Sequence, residues 1–282
     1  SAASDVYKRQ GLTIIVFLSL TTAFIYFYNG QIKNILLSEL DKNIKKDVTV
    51  KIDNVHLSWW SHFPNISLEL KNVTVSQKIR KDTDTLINMQ HIGLGLDISE
   101  LLANDFTIEK IYLKKGKISM RVFDGKFNNY SIFNKTQPDS TSTKITLDLE
   151  KINIKKVSFN YQDLLDKHHY AIYFDDNYLK LKYSNTGIDT YLKGDLKVKK
   201  LQIKGKNYFE NRAITTDIKL VYTKVNQQFI LEESNLIING GQFDLNGYYI
   251  NNDVQSLDLT VKAHEAKLTA LASLLPSSVS SI

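Results

Sequence analysis

The sequence contains no cysteine among its 282 residues. This absence excludes disulfide frameworks, thiolate metal sites and cysteine nucleophiles. It is consistent with an oxidising compartment, in which proteins avoid free thiols.

The sequence also lacks the motifs that usually mark a catalytic or metal site. We find no GxSxG, Walker, HExxH or GxGxxG motif in a useful context. His168-His169 lies near Asp163 and Asp166 and resembles a ligand set, but a polar hairpin connection explains this stretch better. Asp175-Asp176 lacks the glycine spacing of a calcium loop. The sequence therefore predicts no enzyme, no catalytic residue, no metal and no cofactor.

Charge is plentiful but spread along the chain, with a formal net charge of +6. Lysines alternate with apolar residues, as between Lys193 and Lys206, which is typical of the solvated face of strands. A nucleic-acid interface would need a clustered basic patch with stacking aromatics. No such patch stands out, so no nucleic-acid partner is predicted.

Residues 11–28 form the one long uncharged apolar run. As a helix, this run would span about 27 Å, close to the hydrocarbon thickness of a bilayer. A cleavable signal peptide would need a small–x–small site just after the run, and residues 28–31 do not provide one. The segment is therefore predicted to be a retained transmembrane anchor, with Tyr26, Phe27 and Tyr28 at the far interface.

The remaining segments have distinct patterns. Residues 1–10 are predicted to be either a non-native scar or a cytoplasmic tail. Residues 31–47 show helical apolar spacing and predict an amphipathic helix that packs on the first strands, with a membrane-surface helix as the alternative. Residues 48–263 are predicted to be a β-rich periplasmic domain. Residues 264–282 predict a helix up to Leu275 and a truncated C-terminal end.

An eight-residue pattern, apolar–x–apolar–x–x–apolar–x–apolar, occurs six times. The copies begin at Val50, Leu68, Ile87, Phe106, Leu147 and Leu196. The first four starts are 18, 19 and 19 residues apart, which favours a repeated strand unit. Ordinary β-sandwich strands with coincidental slips are the alternative.

Each copy consists of two alternating halves separated by polar residues, such as Asp53-Asn54 or Lys71-Asn72. In a regular strand, the second half would point to the opposite face. A β-bulge at each polar pair would absorb the extra residue and keep both halves on one face. We therefore expect Val55 and Val73 to lie on the same face as the apolar residues that precede them.

These patterns predict a mainly β fold in which the two helices precede an extended, curved, mostly antiparallel sheet. The predicted strands are 48–57, 66–75, 87–98, 106–114, 117–123, 144–154, 157–161, 169–174, 179–183, 190–204, 212–223, 228–239, 242–250 and 255–263. Turns are predicted at Lys115-Gly116, Asp124-Gly125 and Asn251-Asn252. Residues 134–143 predict a polar loop, and residues 99–103 a single helical turn.

One face of this sheet is predicted to be a continuous apolar groove. An apolar face must close on itself, meet another sheet, or face an apolar partner. The predicted groove-lining residues are Val50, Ile52, Val55, Leu57, Leu68, Leu70, Val73, Val75, Met89, Ile92, Leu94, Ile108, Ile111, Leu113, Leu149 and Ile152. Trp59-Trp60 is predicted to be either a packed corner or an amphipathic rim near the membrane.

Two stretches carry a resemblance to a known family. The first is VHLSWWSHFPNISLELKNVTV from Val55, and the second runs from Met89 to Phe133 and ends in a D–G–x–x–N hairpin at Asp124, Gly125 and Asn128. Together with the apolar run and the short helix, they resemble the N-terminal part of the AsmA family. The resemblance covers Gly11 to about Lys135, and beyond it only the β-rich texture matches.

The resemblance implies a Gram-negative envelope protein that is single-pass in the inner membrane, with most of the chain in the periplasm. It implies that phospholipids bind to or move along a hydrophobic β groove towards the outer membrane, and that outer-membrane components are further partners. A structural or assembly factor for outer-membrane proteins, acting by strand addition, is the alternative. A membrane-anchored enzyme with its site further along the chain has no support in these residues.

Overall fold

A computed structural model describes residues 30, 33–34, 36–38, 40–58, 66–96, 106–124, 127–134, 145–252 and 255–264. The predicted anchor at 11–28, Trp59-Trp60, the helical turn at 99–103 and the helix after His264 lie outside the described residues. Within the described ranges, no helix is long and apolar enough to cross a membrane.

The described chain is one open, curved sheet. Its strands are β1 Val48–Ser58, β2 Ile66–Ile79, β3 Asp82–Leu96, β4 Phe106–Asp124, β5 Phe127–Asn128, β6 Ile145–Asp163, β7 His168–Tyr183, β8 Gly187–Ile203, β9 Lys206–Thr223, β10 Gln228–Ile238, β11 Gly241–Ile250 and β12 Ser256–His264. The order across the sheet is β1-β2-β3-β4-β6-β7-β8-β9-β10-β11-β12, and β5 pairs only with β4. The mainly β, mostly antiparallel architecture predicted from the sequence is confirmed.

One neighbouring pair departs from the antiparallel meander. β4 and β6 run parallel, from Phe106↔Ile145 to Val122↔Asp163. Parallel neighbours need a long crossover connection, which here comprises residues 125–144 and includes β5. Because β6 begins beside the first residues of β4, this connection must run back along the length of β4. Residues 133–134 of the connection contact residues 42–44, at the end of the N-terminal helix.

The helix and the crossover are fastened to each other. The described helical residues fall between 30 and 43, so the helix ends before the predicted residue 47. Ile44 forms an isolated β-bridge with Phe133 instead. The Asn134 side chain donates from Nδ2 to the carbonyl oxygens of Lys42 and Ile44, both at 3.1 Å. The C-terminal end of the helix is therefore held by the crossover.

A row of skipped pairs runs across six neighbouring strands at one level. Each strand contributes one residue that faces the corresponding residue of its neighbour but is left out of the pairing, while the residues before and after it are paired. These residues are Asp53, Asn72, Gln90, Lys115, Lys156 and Asp175. We call this row the crease. Asn72, Lys115 and Lys156 adopt left-handed φ angles of 51°, 54° and 56°. A left-handed residue interrupts the alternation of a strand, so the apolar residues on either side of the crease share one face.

The crease revises the predicted mechanism of the phase slip. Val55 and Val73 do pack with Leu57 and Leu70 in one buried cluster, as expected. However, a bulge places an extra residue in one strand and shifts the register. Here the facing residues of neighbouring strands are skipped together, so from β1 to β7 each register is the same on both sides of the crease. A register shift appears where the crease ends, with Asp175 as the extra residue between β7 and β8.

The crease also explains which predicted strand boundaries are wrong. The predicted turn at Lys115-Gly116 lies inside β4, and the predicted gaps at 155–156 and 175–178 lie inside β6 and β7. The sequences around these points repeat the step from apolar to two polar residues, which interrupts the period of 2 without ending the strand. Strands β4, β6 and β7 are consequently each continuous.

The crease generates a stability prediction at Lys156. Replacing Lys156 with glycine should leave stability unchanged or raise it by about 0.5–1 kcal/mol, because glycine adopts positive φ without a Cβ clash. Replacing it with valine should cost about 1–2 kcal/mol, because a β-branched residue tolerates this region poorly. Chemical denaturation measures both changes.

The matched control is Lys197→Val, at an exposed position of β8 that has no positive φ. This substitution should be tolerated, because valine suits a regular strand. Equal losses for Lys156→Val and Lys197→Val would contradict the crease interpretation.

Candidate functional site

The buried apolar side chains lie on one face of the sheet, which we call the inner face. A first cluster spans β1 to β4 and the crossover and contains Val55, Leu57, Leu68, Leu70, Val73, Val75, Leu86, Leu96, Ile108 and Ile132. A second cluster contains Met89, Ile152, Ile154 and Val157. Ile87, Ile92 and Ile111 pack against both clusters, so the two form one continuous apolar surface.

The structure brings the predicted lining residues together on this surface. Nine of them are core members of the two clusters: Val55, Leu57, Leu68, Leu70, Val73, Val75, Met89, Ile108 and Ile152. The half-buried Val50, Ile52, Ile92, Leu94, Ile111 and Leu113 pack against them. The side chain of Leu149 lies outside the described part of the chain.

Sequence reasoning missed several members of the inner face. Leu86 was missed because it is the extra residue where the register shifts between β2 and β3, and simple alternation would turn it outward. Ile154 and Val157 flank Lys155-Lys156, a polar pair that looked like a strand end. Ile132 belongs to the crossover and has no strand pattern. The repeated apolar–polar–polar–apolar step was the signal for Ile154 and Val157.

The inner face is filled at its β1 end. Leu36 of the helix, together with Tyr130 and Ile132 of the crossover, packs on the first cluster. Met89, at the junction with the second cluster, is 1% exposed. Over β1 to β4, the inner face is therefore a packed core, and the protein's own side chains fill the concave side of the sheet.

The inner face is open at its β12 end. Phe243 is fully buried in a third, smaller cluster with Ile238. Beyond it, the apolar side chains of β12 are largely uncovered, with exposures of 69% for Leu257, 51% for Leu259 and 43% for Val261. Phe243 pairs with Ala263, Leu245 with Val261, and Gly247 with Leu259. Because these positions are two residues apart on each strand, Leu259 and Val261 lie on the same face as Phe243, which is the inner face. The inner face is thus buried at its β1 end, whereas at its β12 end its apolar side chains are exposed and can bind an apolar partner.

Aromatic ladders lie towards both long margins of the inner face. The Tyr161 and Tyr170 rings stack with centroids 5.5 Å apart near the β6–β7 connection. At the opposite margin, Tyr222 and Phe229 are 4.8 Å apart, and Phe229 and Tyr249 are 6.3 Å apart. Rings of this kind present an apolar body to the face and, in tyrosine, a polar hydroxyl to its margin.

The D–G–x–x–N residues have structural roles. Asp124 accepts a hydrogen bond through Oδ1 from the backbone N of Phe127 at 3.1 Å, and its carboxylate pairs with Arg80. The Asn128 Oδ1 accepts from the backbone N of Ser131 at 2.8 Å. Both side chains therefore hold the start of the crossover rather than a ligand.

Asn129, the next residue, is fully buried and was not predicted. Its Nδ2 donates to the Ser119 carbonyl oxygen at 2.7 Å and to the Asp84 carboxylate. Its Oδ1 accepts from the backbone N of Arg121 at 2.7 Å. This network ties the crossover to β3 and β4, and so positions Tyr130 and Ile132 over the first cluster.

The comparison with known families covers the sheet from β1 to the middle of β10. A model of the AsmA family matches residues 11–235. This chain belongs to the AsmA family. The family is one of envelope-associated proteins. No curated protein matches the chain.

In this AsmA-family chain, His168 and His169 lie at the hairpin between β6 and β7. The Asp163 Oδ1 accepts from the backbone N atoms of Leu165 and Asp166, both at 2.9 Å. His169 contacts the Asn160 Oδ1 through Nε2 at 2.8 Å. No group of three or more potential metal ligands converges within the described residues. The polar hairpin is thus the interpretation that the geometry supports.

An open pocket of about 440 Å³ lies over β7 to β10. Its wall includes Lys180, Lys182 and Lys219 together with Asp189 and Glu232. Lys180 and Lys182 alternate with Leu179 and Leu181, which pack on the second cluster, so this pocket is on the outer face. Its mixed charges do not favour one ligand class, and the inner face remains the candidate site.

Gly116 gives a packing prediction for the inner face. A Cβ at Gly116 would lie 2.3 Å from the Met89 Sδ and 2.5 Å from the Asn88 carbonyl oxygen. Gly116→Ala should therefore destabilise the protein by about 1–3 kcal/mol, the usual cost of overpacking. Thermal and chemical unfolding measure the loss.

Gly93→Ala is the matched control, because its nearest neighbours are side-chain atoms of Glu69 and Tyr112 at 3.3 Å. These distances are about 1 Å longer than the shortest one at Gly116, so the loss should be smaller. If Gly93→Ala proved the more damaging change, the close approach at Gly116 would not hold.

His169 gives a pH prediction. Burial, followed by the nearby charge of Lys200, lowers the pKa of the His169 imidazole below its ordinary value. The unfolded chain therefore binds more protons below about pH 6.5, and the contribution of His169 to stability is lost as pH falls. His169→Gln should weaken the fall in melting temperature between pH 8 and pH 5. The reference is the melting temperature of each protein at pH 8, where neither His169 nor the glutamine is charged. An equal fall in melting temperature for wild type and variant would contradict the prediction.

Proposed function

We propose that this protein binds or conducts phospholipids along its inner face, as a membrane-anchored protein of the envelope periplasm. The observation that carries the proposal is the change along the inner face from a packed core over β1–β4 to uncovered Leu257, Leu259 and Val261 on β12. A soluble protein rarely exposes a continuous apolar surface without a partner for it. Acyl chains are a partner that needs no catalytic group.

The anchoring part of the proposal rests on the sequence. The uncharged run at 11–28 is long enough to span a bilayer and precedes a large lysine-rich domain. With the run retained in the inner membrane, the sheet would begin close to the bilayer surface and extend into the periplasm. Inner-membrane phospholipids and outer-membrane components are the partners that this arrangement favours.

The energetics favour collective binding over any single contact. Each methylene removed from water contributes about 0.8 kcal/mol. About ten methylenes of an acyl chain resting on β10–β12 would contribute about 8 kcal/mol, which offsets the entropy lost on association. Conduction further requires that neighbouring stretches of the face accept the same chain, which a lining of interchangeable aliphatic side chains allows.

Leu259→Asp tests the proposal at the open end of the face. Leu259 is half exposed, so water reaches the new carboxylate and the domain should still fold. An acyl chain placed over that carboxylate would leave it desolvated and unpaired, so bound lipid should fall several-fold. Mass spectrometry of lipids extracted from the purified full chain, alongside thermal unfolding, measures both quantities.

Thr260→Asp is the matched control, because it adds the same charge to the next residue of β12 on the opposite face. It should leave lipid occupancy unchanged. Equal lipid occupancy in wild type and a folded Leu259→Asp variant would overturn the proposal.

The edge of the sheet favours a second candidate, an assembly factor that acts by strand addition. β12 is the last strand of the described sheet and pairs through its whole length with β11 alone. A regular edge strand offers a row of backbone donors and acceptors to an incoming strand. Co-purification of unfolded β-barrel segments, with no lipid, would favour this candidate over lipid binding.

A further inference from the structure

Asn177 stands out among the polar residues of the inner face. It alternates with Leu179 and Leu181, which pack on the second cluster, and it pairs with the buried Ile154 of that cluster. Its side chain is 3% exposed. Asn177 thus places a carboxamide on an apolar floor, at the boundary between the packed part of the face and its open part.

Neither polar atom of this carboxamide has a hydrogen-bond partner. The Nδ2 and the Oδ1 of Asn177 are both buried without one, and no other side chain in the described ranges shows this for two atoms. Two other buried polar side chains on the sheet are satisfied: the Thr216 Oγ1 donates to the Gly194 carbonyl oxygen at 3.0 Å, and the Ser234 Oγ accepts from the backbone N of Lys219 at 3.0 Å. A buried polar group without a partner destabilises the folded state, because it has lost its hydrogen bonds to water.

The Asn177 carboxamide lies over the backbone of the neighbouring strand β8. Asn177 pairs with Gly194 of β8, whose φ is +129°. A Cβ at Gly194 would lie 2.9 Å from the Asn177 Nδ2. The carboxamide therefore occupies the space that a side chain at position 194 would need. The Gly194 carbonyl oxygen accepts from the Thr216 Oγ1, and the Asn177 Nδ2 makes no hydrogen bond to it.

The charge around Asn177 narrows the chemistry of that partner. Its inner-face neighbours by register and alternation are Ile154, Leu179, Gly194, Leu192 and Leu196, followed by Thr216 on β9, and none of them is charged. An ionised carboxylate there would remain uncompensated in an apolar setting. A carboxamide can donate to a carbonyl oxygen and accept from a hydroxyl or an N–H. A neutral acyl ester with an adjacent hydroxyl, or an acyl amide, satisfies both atoms.

We infer that Asn177 is the hydrogen-bonding contact for the neutral acyl linkage of a lipid whose chain lies along the open part of the inner face. The inference rests on the proposed function and specifies where along the face the ligand's polar linkage stops. It requires the carboxamide to turn towards the groove when the ligand enters. The two buried polar atoms, which have no hydrogen-bond partner in the free protein, would then be hydrogen-bonded to the ligand. Aliphatic residues hold the chain, and Asn177 sets its position and favours an ester or amide over a plain hydrocarbon.

The test compares two probes of equal chain length, monopalmitoylglycerol and hexadecane, on the full chain and on Asn177→Leu. Leucine removes the carboxamide at similar volume. The variant should bind monopalmitoylglycerol about tenfold more weakly, the equivalent of one net hydrogen bond, and hexadecane no more weakly than wild type. It should also unfold at a higher temperature, because the unsatisfied carboxamide is gone.

A spectroscopic readout locates the contact. With a carbon-13 label in the ester carbonyl of the bound probe, hydrogen bonding to Asn177 should lower the infrared stretching frequency in wild type. The shift should be lost in Asn177→Leu and kept in Asn153→Leu. Asn153 is the matched control, because it lies on β6 and pairs with Tyr178, the outward neighbour of Asn177. If Asn177→Leu fails to fold, Asn177→Ala gives the same comparison.

The outcomes separate this inference from the proposed function. If wild type binds neither probe, both the proposed function and this inference fail. If wild type binds both probes and a folded Asn177 variant keeps the affinity and the carbonyl shift, only the role of Asn177 is overturned.

Discussion

The structure depends on one constraint, which is that a single sheet must bury a continuous apolar face without a second sheet layer. All substantial contacts between the described strands join neighbours within the sheet. Burial of Val73, Met89 and Val157 therefore comes from curvature, from adjacent side chains on the same face, and from the helix and crossover at the β1 end. Because curvature is the source of burial, whatever sets the curvature also decides which part of the face is closed and which is open.

The crease is the local device that makes this face continuous. Without it, each long strand would carry its second apolar half to the outer face, and the two clusters would not meet. Left-handed residues at Asn72, Lys115 and Lys156 cost energy locally, but they are aligned across strands, so the register of each pair from β1 to β7 is the same on both sides of the crease. Polar pairs then project outward at the crease, as in the ion pair between Lys155 and Asp176 at 2.7 Å. The same step thus provides an apolar inner face and a solvated outer face.

Much of this architecture follows from sequence pattern, because alternation and a repeated slip are local properties. The β class, the inward positions of Val55 and Val73, and the outward polar pairs were all predictable. The continuity of β4 and β6 was not, because Lys114-Lys115 and Lys155-Lys156 look like turn residues until their partners in the sheet are known. No local pattern encodes the parallel pairing of β4 with β6, the hydrogen-bond network of Asn129 or the unsatisfied carboxamide of Asn177. All three depend on contacts between distant segments.

The central claim is that acyl chains occupy the open inner face near Leu259. The absence of native cysteine allows a single spin label at position 259 or 260 of the full chain. In protein purified with its lipid, oxygen accessibility at position 259 should be high and water accessibility low, as within acyl chains, while position 260 should be aqueous. Removing lipid should make position 259 aqueous as well. Equal and unchanging water accessibility at both positions would contradict the account.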